Sequence, residues 1–154
     1  MKKLYLAYGS NLNKGQMKYR CPEATAIGTA FIEGYRLLYK GSKTGSFLTI
    51  EKKKGSRVPV GVWEVSEHDE RRLDCYEGYP TFYYKKEVKI TLVETGKEVD
   101  AFVYIMHEER PLGIPSEYYV RVCEEGYRDF GFDKAYLDKA YKDSAGGKKW
   151  KPEN

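Results

Sequence analysis

Leu4-Tyr5-Leu6-Ala7-Tyr8-Gly9-Ser10-Asn11-Leu12 sets the reading of the whole chain. Leu4 to Tyr8 carries the residue types and alternation of a first strand. Gly9-Ser10-Asn11 is a turn-forming trio that stops it before a short polar helical segment near Asn13 to Tyr19. A strand that runs through a glycine turn into a helix brings several backbone N–H groups toward one point. Gly9 permits close approach, and the Ser10 hydroxyl and Asn11 amide add donors, a geometry suited to a carboxylate or a developing oxyanion. The same trio is also ordinary turn composition, so on its own it serves the turn as readily as a ligand.

Outward from this loop, Thr25 to Tyr39, Ser46 to Glu51 and Val58 to Val65 read as strands broken by Gly-, Lys- and Ser-rich turns. Lys52-Lys53-Lys54 falls between two of them, as a solvated hairpin tip. Ser66 opens a helix with Asp69 three positions on, a variant of the capping box. The helix runs to Gly78, a suitable C-cap, and Pro80 forbids its continuation. Tyr83 to Val93 and Val99 to His107 flank Thr95-Gly96-Lys97 as a hairpin. A helix beginning at Ser116 places Tyr119, Val122, Cys123, Gly126, Tyr127 and Phe130 on one apolar stripe, and a last, more polar helix covers Asp133 to Lys142. Strands do not alternate regularly with helices. The expected fold is therefore α+β, with a mixed sheet curled into a small β-barrel and flanked by helices.

The chain has 154 residues, 41% of them hydrophobic and 15% aromatic, with 15 Tyr and 15 Gly. That composition argues against disorder and for one strand-rich domain, expected over residues 1–143, followed by a basic, frayed tail over residues 144–154. No stretch approaches the roughly 18 consecutive apolar residues of a membrane-spanning helix, and the N-terminus turns polar too soon for a signal peptide. The net charge of +4 is mostly local. From Lys134 onward 6 basic residues stand against 3 acidic ones, leaving 21 against 20 before it, so the body is nearly neutral and nucleic acid is not an expected partner. Lys148, Lys149 and Lys151 are the residues that the opposing reading would use. Cys21, Cys75 and Cys123 are odd in number and far apart, as in reduced cytosolic thiols.

Glu77 is the second candidate for chemistry. A carboxylate at a helix C-terminus faces the negative end of the macrodipole, and partial burial between Tyr76 and Tyr79 would raise its pKa toward that of a neutral-pH general base. The bland alternative is a solvated surface glutamate. His68 and His107 have no evident catalytic partner. HExxH, paired CxxC, GxGxxG and P-loop patterns are all missing from the sequence, so neither a metal nor a cofactor is expected.

Taken in order, the strand and loop Leu4 to Leu12, the strand Val60-Gly61-Val62-Trp63-Glu64-Val65, and Leu73-Asp74-x-x-Glu77-Gly78-Tyr79-Pro80 resemble the gamma-glutamylcyclotransferase-like family. That family includes AIG2-like proteins and gamma-glutamylamine cyclotransferases. Tyr83-Tyr84-Lys85-Lys86 and Pro115-Ser116-x-x-Tyr119 extend the likeness over roughly Lys3 to Phe130. The resemblance implies a cytoplasmic, cofactor-independent enzyme that releases 5-oxoproline from a small gamma-glutamyl compound. It makes Glu77 the acid/base, Tyr5, Leu6, Ala7, Tyr8, Gly9 and Ser10 the substrate-binding loop with Asn11 as a helper, and Tyr119 a substrate contact. It leaves the oligomeric state open, and a non-catalytic small-molecule-binding member of the same fold is the alternative. Tyr119 also fits the simpler account of a core residue on the helix stripe.

Overall fold

A computed structural model describes residues 2–42 and 45–145. The chain opens with β1 (Lys3–Ala7), a 3-10 helix (Ser10–Leu12) and α1 (Lys14–Arg20), continues through β2 (Thr25–Ser42), β3 (Gly45–Val65) and α2 (Glu67–Glu77), and ends with β4 (Tyr83–Thr91), β5 (Glu98–Met106), α3 (Glu117–Phe130) and α4 (Ala135–Ser144). All five strands form one mixed sheet in the order β2-β3-β1-β5-β4. β1 lies at its centre, antiparallel to β3 from Lys3 opposite Val65 to Ala7 opposite Gly61, and parallel to β5 with Tyr5 opposite Phe102. Tyr5, Leu6 and Ala7 are accordingly all buried, whichever face they point to.

The expected α+β class and mixed sheet are found, but the sheet curls without closing. β2 and β4 remain edges, and no ladder joins them. Just past the end of β4, the Val93 N–H donates to Thr29 O on β2 (2.9 Å), and the Glu94 carboxylate accepts from Thr29 N (2.9 Å) and Thr29 Oγ1. The other exposed stretch of β2 is covered by residues 111–113, with Gly41 N donating to Pro111 O and Gly113 N to Tyr39 O.

One expected turn is not a turn. Ser46 to Glu51 and Val58 to Val65 belong to a single 21-residue strand. Across it the register jumps from Glu33 opposite Arg57 to Tyr35 opposite Lys52, so residues 53–56 bulge out of the ladder. Lys53 and Lys54 are exposed on that bulge, with Lys52 beside it, and Gly34 and Gly55, both at positive φ, supply the left-handed backbone that lets the pairing resume beyond it.

Local signals set the helix ends. The Ser66 hydroxyl accepts the Asp69 N–H (3.1 Å) and the Ser116 hydroxyl accepts that of Tyr119 (3.1 Å). Gly78 and Gly131 end α2 and α3 in the left-handed conformation, and Tyr79 N donates back to Asp74 O. α4 begins and ends two residues later than the sequence suggested. Its last residue, Ser144, is buried, accepts the Tyr39 N–H (2.7 Å) and donates to Ala140 O (2.7 Å), so the helix is fastened to β2. The rest of the expected tail, beyond Ala145, lies outside the described residues. Among the described residues no helix is long and apolar enough to cross a membrane.

Candidate active site

The loop after β1 is held from three sides. Trp63 Nε1 on β3 donates to Asn11 O (3.1 Å). The Asn13 side chain caps α1 by accepting the Gln16 N–H (3.1 Å) and reaches across to α3, donating to Val122 O (3.1 Å) and Glu125 Oε1 (2.7 Å). α3 comes close because residue 126 is glycine: a Cβ there would stand 2.7 Å from both Asn13 N and Leu12 C. The three-residue helix Ser10–Leu12 is thereby fixed with its N-terminal end, whose first N–H groups no helical carbonyl satisfies, at the edge of a cavity of about 190 Å³.

Residues from several separate segments of the chain line this cavity. Tyr5, Leu6, Tyr8, Gly9, Ser10 and Asn11 come from β1 and its loop, Tyr76 and Glu77 from the last turn of α2, and Tyr119 from α3. All the residues singled out from the sequence meet there except Ala7, which is buried in the sheet opposite Gly61 and does not line the cavity. Phe47, Leu48, Phe82, Tyr83 and Tyr104 complete the wall and were not anticipated, while of the two tyrosines expected to flank Glu77, Tyr76 lines the cavity and Tyr79 does not. Tyrosine's high share of the composition is explained in part here, since six line one cavity.

Their hydroxyls tie the wall together. Tyr8 OH donates to Tyr104 O (2.7 Å), Asn11 Nδ2 donates to Tyr5 OH (3.0 Å), Ser10 Oγ and Tyr76 OH share a bond (3.1 Å), and Tyr83 OH donates to Leu48 O (2.9 Å). Tyr119 is packed against its neighbours and also lines the cavity. Its ring packs edge-on against Tyr39 and Phe47, while its hydroxyl oxygen accepts the Leu48 N–H (3.1 Å). That hydroxyl lies 3.1 Å from where a Cβ on Gly9 would sit, so glycine at position 9 keeps loop and tyrosine in contact.

Glu77 is the one acidic residue in the lining. Its carboxyl makes no hydrogen bond or ion pair among the described residues, and burial pushes its pKa up to about 8, with the positive charge of Arg20 pulling the other way. Asp74, one turn earlier, is committed to structure: it accepts from Tyr104 OH (2.5 Å) and pairs with Lys85 (3.0 Å). A third group of acids, Glu23 and Asp69 with His68, gathers within 4.8 Å at the opposite end of α2 and contributes nothing to the cavity lining. The cavity therefore combines one unpaired carboxyl, titrating near neutrality, with an aromatic wall and a loop of hydrogen-bond donors. Such a set can take a proton from a bound amine and return it without a second catalytic side chain.

Residues 5–121 match the family described as gamma-glutamyl cyclotransferase, AIG2-like. The chain belongs to that family. Human gamma-glutamylcyclotransferase is 32% identical to this member in an alignment of 146 positions that covers 88% of this chain and 76% of the human one. A protein of Methanocaldococcus jannaschii is 41% identical over 59 residues, 38% of this chain and about half (48%) of its own length. A solved gamma-glutamyl cyclotransferase structure superposes with a TM-score of 0.81 at 28% identity, covering 91% of this chain and 86% of that one. Relatives named for this activity mark the gamma-glutamyl cyclotransferase family member described here as an enzyme of cyclotransferase type.

Proposed function

We propose that the protein releases 5-oxoproline from a gamma-glutamyl amino acid or gamma-glutamyl amine, with Glu77 as the general acid and base. The observation that carries this reading is the unpaired Glu77 carboxyl, raised to about 8, in the wall of the cavity. An α-ammonium titrates at about 8 in a peptide and higher beside the free α-carboxylate of a gamma-glutamyl compound, so proton transfer to a Glu77 raised to about 8 is only mildly uphill, whereas an ordinary carboxylate would be several units too weak a base.

The ionised Glu77 takes one proton from the α-ammonium. The freed lone pair forms the new C–N bond at the substrate's own γ-carbonyl, closing a five-membered ring and moving the carbonyl π pair onto oxygen. Loop N–H groups at Gly9, Ser10 and Asn11 hold that oxyanion or the α-carboxylate. As the oxyanion collapses, Glu77 gives its proton to the departing nitrogen and the old C–N bond breaks. The proton left on the ring nitrogen passes to Glu77, now ionised again, and on to the released amine or solvent. Because attack is intramolecular, the protein has mainly to fold the substrate into its attack geometry and exclude water, which the closely packed tyrosines suit. Tyr5, Leu6, Tyr8, Gly9, Ser10, Asn11 and Tyr119 form the binding surface.

Glu77→Gln keeps the side chain's shape and removes its basicity. It is expected to lower 5-oxoproline release, followed by chromatography over a panel of gamma-glutamyl compounds, by about 10²- to 10⁴-fold. An unchanged circular dichroism spectrum and retained ligand binding by calorimetry would accompany that loss. A fully active Glu77→Gln protein would remove Glu77 from the mechanism.

A further inference from the structure

Arg20 ends α1 outside the cavity lining, where a basic side chain is commonly explained by the helix macrodipole alone. Its contacts say more. NH1 donates to Asn11 Oδ1 (2.5 Å) and, at longer range, to Ser10 Oγ (3.4 Å), while NH2 donates to Gln16 Oε1 (2.7 Å) one turn back on α1. The guanidinium carbon stands 3.9 Å from the centre of the Tyr76 ring. Tyr76 OH in turn meets the same Ser10 hydroxyl, and Tyr76 immediately precedes Glu77. One side chain thus clamps the donor loop to the turn that carries the carboxyl.

The charge on Arg20 is left unneutralised. Its three hydrogen-bond acceptors are all uncharged oxygens, and among the described residues it forms no ion pair. Half-buried behind the cavity wall, that charge acts on the interior with less screening than an exposed one. Resting on the reaction proposed above, we infer that Arg20 is a positioning residue, which locks the Ser10–Asn11 donors in register with the Tyr76–Glu77 turn and supplies the positive field behind the cavity. Lysine cannot replace it. A point charge on a flexible stem lacks the planar fork that reaches Asn11 and Gln16 together and the flat face that stacks on Tyr76.

The field has a definite sign of effect. Arg20 is the charge that opposes burial at Glu77 and favours the ionised carboxylate, so its removal leaves a larger fraction of Glu77 protonated and unable to act as base at neutral pH.

The test compares wild type with Arg20→Met and Arg20→Lys in two measurements. The first is the carboxyl ¹³C titration of Glu77 in the substrate-free protein. Arg20→Met is expected to move the midpoint upward by about half a pH unit or more, and Arg20→Lys to leave it near the wild-type value. The second is the pH profile of 5-oxoproline release. The acid limb of kcat/KM should move with the Glu77 midpoint in Arg20→Met, and Arg20→Lys should lose several-fold in kcat/KM at every pH because its loop is no longer locked. An unmoved midpoint in Arg20→Met, or an Arg20→Lys protein as active as wild type, would overturn the inference. If Arg20→Met does not fold, Arg20→Lys alone decides between lost and retained kcat/KM. A wild-type protein that releases no 5-oxoproline, or a fully active Glu77→Gln variant, would instead count against the reaction itself. The titration needs no turnover and separates the two failures.

Discussion

At Glu77 two effects push in the same direction. The negative end of α2 and the surrounding aromatic wall both penalise the ionised carboxylate, and Arg20 offsets them only in part. A folded-state pKa of about 8 lies above the ordinary glutamate value near 4.3. The sign of the linkage follows: the folded state binds this proton more tightly than the unfolded chain, so the stabilisation is complete below the unfolded pKa and is lost as pH rises through about 8. Glutamine cannot ionise and escapes this loss. The melting temperature of Glu77→Gln relative to wild type is therefore expected to rise between pH 5 and pH 9, read by thermal denaturation in matched buffers. A difference that stays constant across that range would mean an ordinary, solvated Glu77. The loop Tyr8-Gly9-Ser10-Asn11 and Glu77 were legible in the sequence because each chemical cue sits in consecutive residues. Arg20 was not, since nothing in Tyr19-Arg20-Cys21 tells a helix-terminal cation from a clamp on a loop nine residues earlier.

Among the elements, α3 has most to do with the shape of the site. It presses on Leu12 and Asn13 through Gly126 and carries Tyr119 two turns earlier on the same helix. Gly126→Ala puts a methyl group 2.7 Å from the backbone atoms Asn13 N and Leu12 C, neither of which can rotate away. α3 must lift, at a cost of about 1–3 kcal/mol for overpacking. The same shift draws the Tyr119 hydroxyl off Leu48 and Gly9, so a lowered melting temperature should come with a raised KM. An unchanged KM beside a lowered melting temperature would show that the helix yields locally, without moving Tyr119. The helix boundaries at Ser66, Gly78 and Ser116 could be read in advance because capping is settled by a few neighbouring residues. The continuity of β3 could not. Lys53-Lys54-Gly55-Ser56 has the composition of a turn, and only the partner strand, with Gly34 facing the irregularity, reveals a bulge inside one strand.

On the scale of the molecule, the cavity belongs to no single segment. Its lining draws on residues 5–6, 8–11, 47–48, 76–77, 82–83, 104 and 119, gathered because β1 lies between β3 and β5. That explains why Tyr83 and Tyr104 could not be placed in the wall from the sequence: Tyr5 and Tyr104, for example, approach only because a parallel pairing joins strands nearly a hundred residues apart. A site assembled this way has no local substructure on which to survive when the sheet opens, so its loss and global unfolding should be one event. Trp63 is a suitable reporter, since its indole N–H holds Asn11 O and its ring packs edge-on against Phe130 of α3. In a Trp150→Phe background, which leaves Trp63 as the sole tryptophan, thermal melts followed by tryptophan fluorescence and by far-ultraviolet circular dichroism are expected to share one midpoint. Both should rise together when a non-cyclising gamma-glutamyl analogue is added in excess, because a ligand that binds only the folded state stabilises all of it by mass action. A fluorescence midpoint several degrees below the dichroism midpoint would instead mean that the loop and α3 detach while the sheet persists. The cavity would then be a separable layer on the sheet, with its own lower stability.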